Sequence, residues 1–213
     1  KVKEFERKWS EWMGINHSVF VNSGSSANAL LLWAVKRRFF DPEDKEMVVL
    51  TPACTWATNL ATLQQFNIRF VVCDSFYFGH HMTTIEGGMI CTNDSDFYHL
   101  LLMLRSHGLS RELPAEVKQE FERENPEIDS RFLFPEGGFN FRSGEINAVI
   151  GLTQLSHLDR FIQIRKENLT QFDSILRKHP ELFKPFNLKG NSSMVLPFIC
   201  QTSQIRNTVL EKL

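Results

Sequence analysis

Strand-like runs alternate with helical segments over the first third of the chain, and this alternation constrains the fold more than any other feature. His17–Val21, Met47–Leu50 and Ile68–Cys73 are short apolar runs, while Ala27–Phe40 and Thr55–Phe66 have helical spacing. Strands that alternate with helices in this way form a parallel sheet whose faces the helices cover. The sequence therefore predicts an α/β fold, with a mostly parallel sheet and helices on both faces.

The chain then reaches a junction that strand geometry does not allow. The run Ile68–Cys73 is followed, after Asp74 alone, by a second strand-like run at Ser75–Phe78. Two parallel strands of one sheet need a crossover of about a dozen residues or more. Either the two runs form one long strand, or an interior segment is absent between Asp74 and Ser75.

The rest of the chain predicts further strands and helices. In chain order these are a strand at Gly88–Thr92, a helix at Ser95–Ser106 capped by Asp94, an irregular stretch at Pro135–Arg142, a long helix from Ser143 to about Lys178, and a strand at Met194–Cys200. The last strand is expected to open a smaller terminal domain.

Charge and cysteine content exclude several classes of partner. The chain has 24 Lys and Arg against 25 Asp and Glu, so it lacks the basic field that attracts nucleic acid. Its apolar runs are too short to span a membrane. The four cysteines have no C-x-x-C pair and are expected to be reduced core residues of a cytoplasmic protein; they are Cys54, Cys73, Cys91 and Cys200.

A stretch of small polar residues, N-S-G-S-S-A-N-A-L at 22–30, lies between the first predicted strand and the next helix. Backbone N–H groups at such a helix start, together with serine hydroxyls, can bind a phosphate or a carboxylate. Taken alone, the stretch fits an ordinary cap better, with Ser25 or Ser26 opening the helix at Ala27.

The stretch S-F-Y-F-G-H-H-M-T-T-I-E-G-G-M-I at 75–90 is more specific. It resembles the cofactor loop of the DegT/DnrJ/EryC1/StrS family of sugar aminotransferases, which are pyridoxal-phosphate enzymes of fold type I. That family has S-F, three residues, a lysine that binds the cofactor covalently, and then E-G-G. Here His80 takes the place of that lysine, and an imidazole cannot form that bond.

Histidine at this position is typical of a small branch of the family, the 3-dehydratases of nucleotide-linked 4-keto-6-deoxy sugars. The loop is most similar to its GDP-linked, colitose-type members, although a CDP-linked substrate stays open. The resemblance implies pyridoxal 5'-phosphate and pyridoxamine 5'-phosphate as cofactor forms, glutamate as amino donor, and His80 as the catalytic base. His81 is expected to be structural, and a metal site at His80, His81 and Cys73 is disfavoured because adjacent loop histidines have no ligand geometry of their own. An aminotransferase of the same family and a non-catalytic remnant are the alternatives.

Other motifs extend the resemblance to most of the chain. N-S-G-S-S-A-N-A-L is similar to the family's phosphate turn, so Gly24 and Ser25, joined by Ser75, would hold the cofactor phosphate. T-P-A-C-T-W-A-T at 51–58 is similar to the segment that places an aromatic ring over the pyridine, which implies that role for Trp56. A core tryptophan is the alternative for Trp56.

The stretch G-G-F-N-F-R-S-G-E-I-N-A-V-I-G-L-T-Q-L at 137–155 is similar to a family loop that reaches into the neighbouring subunit. In a homodimer, Asn140 would then contact the cofactor phosphate of the partner subunit. An ordinary satisfied turn at Asn140 and Arg142 is the alternative. The motif R-S-H-G at 105–108 resembles a helix end of the family, and His107 is expected to be structural.

The resemblance also accounts for the junction after Asp74. Between the third strand and the S-F loop the family has further βα units, including an aspartate that pairs with the pyridine nitrogen and makes the cofactor an electron sink. Asp74 is not expected to take that role. The resemblance implies an aspartate-aminotransferase-like fold of type I, with an incomplete large cofactor-binding domain at 1–160 and the start of a truncated small domain at 161–213.

Overall fold

A computed structural model describes residues 1–39, 48–52, 57–65, 69–73, 83–185, 188–189, 191 and 195–212. Its helices and strands are, in chain order, α1 (Val2–Met13), β1 (His17–Val21), α2 (Gly24–Phe39), β2 (Val48–Pro52), α3 (Ala57–Gln65), β3 (Arg69–Cys73), β4 (Gly88–Thr92), α4 (Ser95–Arg105), α5 (Ala115–Glu124), α6 (Glu145–Leu155), α7 (Leu158–Leu176) and α8 (Ser203–Lys212). Short 3₁₀ turns at Ser110–Glu112 and Ser130–Phe132 lie on either side of α5. The alternation predicted for the first third of the chain is therefore present.

The described strands form two pairs. β2 and β3 are parallel, with Val48 opposite Arg69 and Pro52 opposite Cys73, and α3 is the crossover between them. β1 and β4 are antiparallel, from His17 opposite Thr92 to Val21 opposite Gly88. Within the described ranges no ladder joins the two pairs.

Apolar side chains bury β1 on both of its faces. On one face Phe20 meets Phe5 of α1 edge-on, with ring centroids 4.9 Å apart. The other face packs against α2 and α4, whose inward residues recur at helical spacing. The fully buried side chains of this cluster are Val19, Val21, Leu30, Ala34, Leu101 and Leu104. The end of β1 is therefore a rigid platform.

Contacts divide the described residues into two compact units, the first ending at Thr153 and the second beginning at Gln154. In the second unit Phe198 lies against Phe172 and Phe183, with ring centroids 5.1 and 5.5 Å away. The predicted domains at 1–160 and 161–213 remain a prediction.

Two predicted elements differ from the structure. The long helix expected from Ser143 is two helices, α6 and α7, separated by a turn at Ser156 and His157 that neither Gly nor Pro marks. The strand expected at 194–200 is wrong for the described residues 195–200, where only an isolated bridge between Cys200 and Phe183 forms. A strand needs a neighbouring strand to pair with, and the described part of this unit provides none.

The cysteine expectation is confirmed in one respect and wrong in the other. Cys91 and Cys200 are both free thiols, as expected, but Cys91 is exposed and Cys200 is partly exposed, so neither is a core residue. Cys54 and the side chain of Cys73 lie outside the described residues. No helix in the described part of the chain is long and apolar enough to cross a membrane.

Candidate functional site

The turn between β1 and α2 presents an open helix start. The hydroxyl of Ser23 accepts a hydrogen bond from the backbone N–H of Ser26 at 3.0 Å, and its carbonyl accepts from Ala27 at 3.0 Å. Ser23 is therefore the cap, and the alternative that Ser25 or Ser26 caps a helix beginning at Ala27 is wrong. The structure differs because α2 begins directly after this strand end, one turn earlier than its apolar pattern indicates.

Gly24 and Ser25 form the exposed first turn of α2. Among the described residues, none accepts a hydrogen bond from their backbone N–H groups. A Cβ atom built on Gly24 meets nothing within 4 Å, so an anion can approach the backbone there. The helix start, with its positive dipole end, fits a phosphate group.

Two glycines close the side of β4 that faces this turn. A Cβ atom on Gly88 would lie 2.4 Å from the carbonyl oxygen of Ser23, and one on Gly87 would lie 2.7 Å from the ring of Phe20. Close packing therefore explains both glycines of the E-G-G motif. No side chain fits between Gly88 and the turn, or between Gly87 and the ring of Phe20.

An amide side chain that sequence reasoning missed holds the residues before β4. The Nδ2 group of Asn147 donates to the carbonyls of Thr84 at 2.8 Å and Glu86 at 3.1 Å. The sequence signal that could have indicated this contact is an asparagine in the first turn of α6, within the same stretch that carries Asn140. Asn147 thus links α6 to the end of the E-G-G loop.

Residues 139–142, called the 139–142 segment below, lie between the end of β1 and the end of α4. Phe141 accepts a hydrogen bond from Asn22 at 2.9 Å and donates one to Arg105 at 3.0 Å through main-chain groups. Phe139 and Phe141 stack at 4.7 Å and pack against the core, whereas Asn140 is exposed. The stretch Pro135–Arg142 is irregular as expected, since it has no helix or strand and forms only the isolated bridges Ser106–Asn140 and Val21–Arg142.

A polar surface group accompanies this segment. Nε of Arg142 donates to the side-chain oxygen Oδ1 of Asn140 at 3.3 Å, and Nη2 of Arg142 lies 3.4 Å from Nε2 of His107. His107 has a φ of 64°, in the left-handed region, and turns the chain after α4. This geometry agrees with the structural role expected for His107.

Behind the segment lies a group of charges that we call the Arg105 cluster: Glu6 and Arg105, which are buried, and Glu112, which is partly buried. The guanidinium of Arg105, 4% exposed, donates to Glu6 at 2.5 Å and to Glu112 at 2.6 Å. It also donates to the carbonyl of Phe20 at 2.8 Å, and the N–H of Phe20 donates to Glu6 at 2.8 Å. One side chain therefore joins α1, β1 and the end of α4.

The two carboxyl groups of the cluster differ in pKa. Burial raises the pKa of Glu6 above its ordinary value in spite of the guanidinium beside it. Burial also acts to raise the pKa of Glu112, but the charge and hydrogen bond of Arg105 outweigh it and hold that pKa low. Two carboxylates thus share one cation.

A cavity of about 480 Å³ lies beside this cluster, with His17, Ser18 and Tyr98 in its wall. It adjoins the start of β1, whereas the open turn at Gly24 follows the end of β1. β1 runs from one to the other, and at about 3.3 Å per residue its five residues span roughly 13 Å. The cavity is therefore separate from the open turn, and neither Gly24 nor Ser25 lines it.

The structure brings together only some of the predicted site residues. Gly24 and Ser25 share the first turn of α2, and Asn140 lies on the segment that pairs with the strand end leading into that turn. Trp56, Ser75 and His80, together with the predicted strand Ser75–Phe78, lie outside the described residues. The roles of all six site residues remain predictions.

Replacing Gly88 with alanine should lower the free energy of unfolding by about 1 to 3 kcal/mol, because the added methyl group would overlap the Ser23 carbonyl. Urea denaturation measures this change. Gly137→Ala is the matched control, since a Cβ there meets nothing within 4 Å. Equal stability of the two variants would contradict close packing between β4 and the turn.

Comparison with known proteins places this geometry in a family. Residues 1–75 and 67–213 match the DegT/DnrJ/EryC1/StrS aminotransferase family. A GDP-4-keto-6-deoxy-D-mannose 3-dehydratase of Yersinia pseudotuberculosis is 27% identical over 258 aligned positions, which cover 84% of this chain and 65% of the relative. A UDP-4-amino-4,6-dideoxy-N-acetyl-beta-L-altrosamine transaminase of Helicobacter pylori is 35% identical over 121 positions, 56% of this chain and 28% of that protein.

A solved structure shows the same fold. The GDP-4-keto-6-deoxy-D-mannose-3-dehydratase of E. coli with bound hydrated PLP superposes with a TM-score of 0.83 at 24% identity. The superposition covers 100% of this chain and 75% of that chain. The predicted aspartate-aminotransferase-like fold of type I is confirmed.

The chain spans 65% of the length of its Yersinia relative, and the alignment of 258 positions is longer than the 213-residue chain. The relative therefore has residues without a counterpart here. The family match also divides between residues 67 and 75, at the junction that strand geometry singled out. Since the two matched parts together cover every residue from Lys1 to Leu213, the chain belongs to the DegT/DnrJ/EryC1/StrS aminotransferase family.

Proposed function

We propose that this protein is a pyridoxal-phosphate-dependent 3-dehydratase of a nucleotide-linked 4-keto-6-deoxyhexose, with GDP-4-keto-6-deoxy-D-mannose as substrate and glutamate as amino donor. The observation that carries the proposal is His80, five residues after Ser75, at the position where the family has its cofactor-binding lysine. The similarity to the Yersinia 3-dehydratase supports the same reading.

The open start of α2 supports binding of the cofactor phosphate. Gly24 leaves room for the phosphate to approach the backbone, and the exposed hydroxyl of Ser25 can donate to it. Ser75 would add a third contact from the loop, and Trp56 would stack over the pyridine. The exposed Asn140 is available to the phosphate bound by the partner subunit of a homodimer.

His80 would act as the acid–base group. When bound, the cofactor supplies an electron sink for the elimination. The imidazole of His80 would take up the proton released in that step and donate a proton to the hydroxyl that leaves sugar carbon 3. A histidine suits this task because its ordinary pKa, about 6.5, lies near neutral pH.

The reaction belongs to dideoxysugar biosynthesis of the colitose type, which supplies sugars to the lipopolysaccharide O-antigen. Its substrate and amino donor are cytoplasmic metabolites, so we place the enzyme in the cytoplasm. The balanced charge of the chain supports the absence of a nucleic-acid partner.

An aminotransferase of the same family is the second candidate, and the 35% identity to the Helicobacter transaminase favours it. That chemistry needs the lysine that His80 replaces, so the candidate ranks second. The third candidate is a non-catalytic remnant, because the aspartate expected to pair with the pyridine would fall in the interior segment without a counterpart after Asp74.

Turnover assays distinguish the three candidates. The protein is incubated with pyridoxal phosphate, glutamate and either GDP-4-keto-6-deoxy-D-mannose or its CDP-linked counterpart. A 3-dehydratase yields the 4-keto-3,6-dideoxy sugar and ammonia, whereas an aminotransferase yields an amino sugar. No turnover from a protein whose intact mass is 24.7 kDa would favour the remnant.

Replacing Gly24 with alanine should weaken pyridoxal-phosphate binding by about tenfold or more, a loss of roughly 1.4 kcal/mol. The methyl group meets no protein atom within 4 Å, so folding should be unaffected while the phosphate is displaced. Absorbance titration measures the affinity and a thermal melt measures the folding. Gly137→Ala, equally free of contacts, is expected to bind like the wild type. Unchanged affinity in Gly24→Ala would exclude Gly24 from the phosphate site.

A further inference from the structure

The 139–142 segment occupies a slot whose two walls are main chain. One wall is the end of β1, where the N–H of Asn22 donates to Phe141 at 2.9 Å. The other wall is the end of α4, where the carbonyls of Leu104 and Arg105 accept from Phe139 at 2.7 Å and from Phe141 at 3.0 Å. The spacing of the walls therefore decides where the exposed residues of the segment lie.

The side chain of Arg105 joins these two walls directly. Its backbone belongs to the α4 wall, and its guanidinium donates to the carbonyl of Phe20, in the β1 wall, at 2.8 Å. Glu6 accepts from both the Phe20 N–H and the guanidinium, so it fixes the same joint from α1. Glu112 holds the other end of the guanidinium at 2.6 Å.

We infer that Arg105 is a positioning residue, which sets the width of this slot and thereby the placement of Asn140 and of the Gly24–Ser25 turn for phosphate binding. The second part of the inference rests on the proposed function. Arg105 itself is buried, so it would act through the main chain of the two walls. It acts on both contributions that this chain would make to phosphate binding: the β1 wall leads into the Gly24–Ser25 turn of its own site, and both walls hold the segment whose Asn140 would contact the phosphate of the partner subunit.

The geometry requires arginine rather than another cation. Three acceptors surround the guanidinium on two sides: the carboxylates of Glu6 and Glu112 and the carbonyl of Phe20. A planar fork of N–H groups reaches all three at once, whereas the single ammonium of lysine cannot. The chain also packs closely next to this segment. A Cβ on Gly138 would lie 2.3 Å from the backbone nitrogen of Gly108, so no side chain fits between the start of the segment and the turn after α4.

The test compares Arg105→Lys with the wild type by amide hydrogen exchange. The lysine keeps the charge but cannot span the slot, so exchange at the amides of Asn22, Phe139 and Phe141 should accelerate at least tenfold. The amide of Ala148 in α6, bonded to Gly144, is the reference and should not change. Phe97→Leu, in the core cluster at the far end of α4, is the control for general destabilisation and should affect slot and reference amides alike.

Affinity for pyridoxal phosphate is the second measurement. Arg105→Lys should bind it about tenfold more weakly, while Phe97→Leu should bind like the wild type. Uniform or absent changes in exchange would overturn the inference, and so would local acceleration without any loss of affinity. A wild type that does not bind pyridoxal phosphate would refute the proposed function instead. The exchange data would then still test whether Arg105 sets the spacing of the two walls.

Discussion

In a urea titration, the Arg105→Met variant is expected to unfold with a free energy about 3 to 5 kcal/mol lower than that of the wild type. Methionine fills much of the same space but leaves the buried carboxylate of Glu6 and the partly buried carboxylate of Glu112 without a cation. The carbonyl of Phe20 also loses its donor. Removal of one member of a buried charge group costs far more than loss of an exposed ion pair, which contributes about 0 to 1 kcal/mol.

The triple variant Glu6→Gln, Arg105→Met and Glu112→Gln is the matched control. It retains side chains of similar size but buries no charge, so it should recover a large part of the lost stability. A loss below about 1 kcal/mol in Arg105→Met would contradict a buried, interdependent cluster. Equal losses in the single and triple variants would show that packing, rather than charge, dominates the effect.

The stability deficit of Arg105→Met should also depend on pH. In the wild type, the low pKa of Glu112 contributes stability that is present above the ordinary pKa of about 4.3 and is lost on acidification. The raised pKa of Glu6 acts in the opposite direction, and its contribution is lost as the pH rises. Without the guanidinium, the largest influence that lowers the pKa of each carboxyl group is gone, so both pKa values should rise. The deficit should therefore be larger at about pH 8 than at about pH 5.

Local signals in the sequence were sufficient for several elements of the fold. The extents of β1 and β4 were predicted correctly, because each apolar run is bounded by polar residues. Asp94 caps α4, as its position before the helix indicated, by accepting from the backbone N–H of Phe97 at 2.9 Å. Such caps depend on residues three or four positions apart, so the sequence displays them.

Contacts between residues far apart in the chain could not be predicted from such local signals. Arg105 and Glu6 are 99 positions apart, and no local pattern pairs them. The cap of α2 is one of three serines, and the choice of Ser23 follows from where β1 ends against Gly88. For the candidate site, the motif indicated Gly24 and Ser25, whereas the link from Asn147 to the loop carbonyls required the tertiary structure.

Replacing His80 with asparagine should reduce dehydration by about 10² to 10⁴-fold, the contribution of a positioned acid–base group. Asparagine keeps a polar side chain of similar size but cannot accept and return a proton at neutral pH. Affinity for pyridoxal phosphate should stay within a few fold of the wild type, since the substitution leaves the proposed phosphate contacts at Gly24 and Ser25 untouched. Steady-state turnover and an absorbance titration measure the two quantities separately.

His80→Lys supplies the decisive comparison, because it restores the family's lysine at the same position. This variant should bind pyridoxal phosphate covalently, which is detected as a cofactor-sized increase in mass after borohydride reduction, yet it should not regain dehydration. His81→Asn is the matched control, and it should retain turnover because the neighbouring histidine is expected to be structural. Retained turnover in His80→Asn, or equal losses in the His80 and His81 variants, would exclude His80 as the base and remove the main support for a 3-dehydratase.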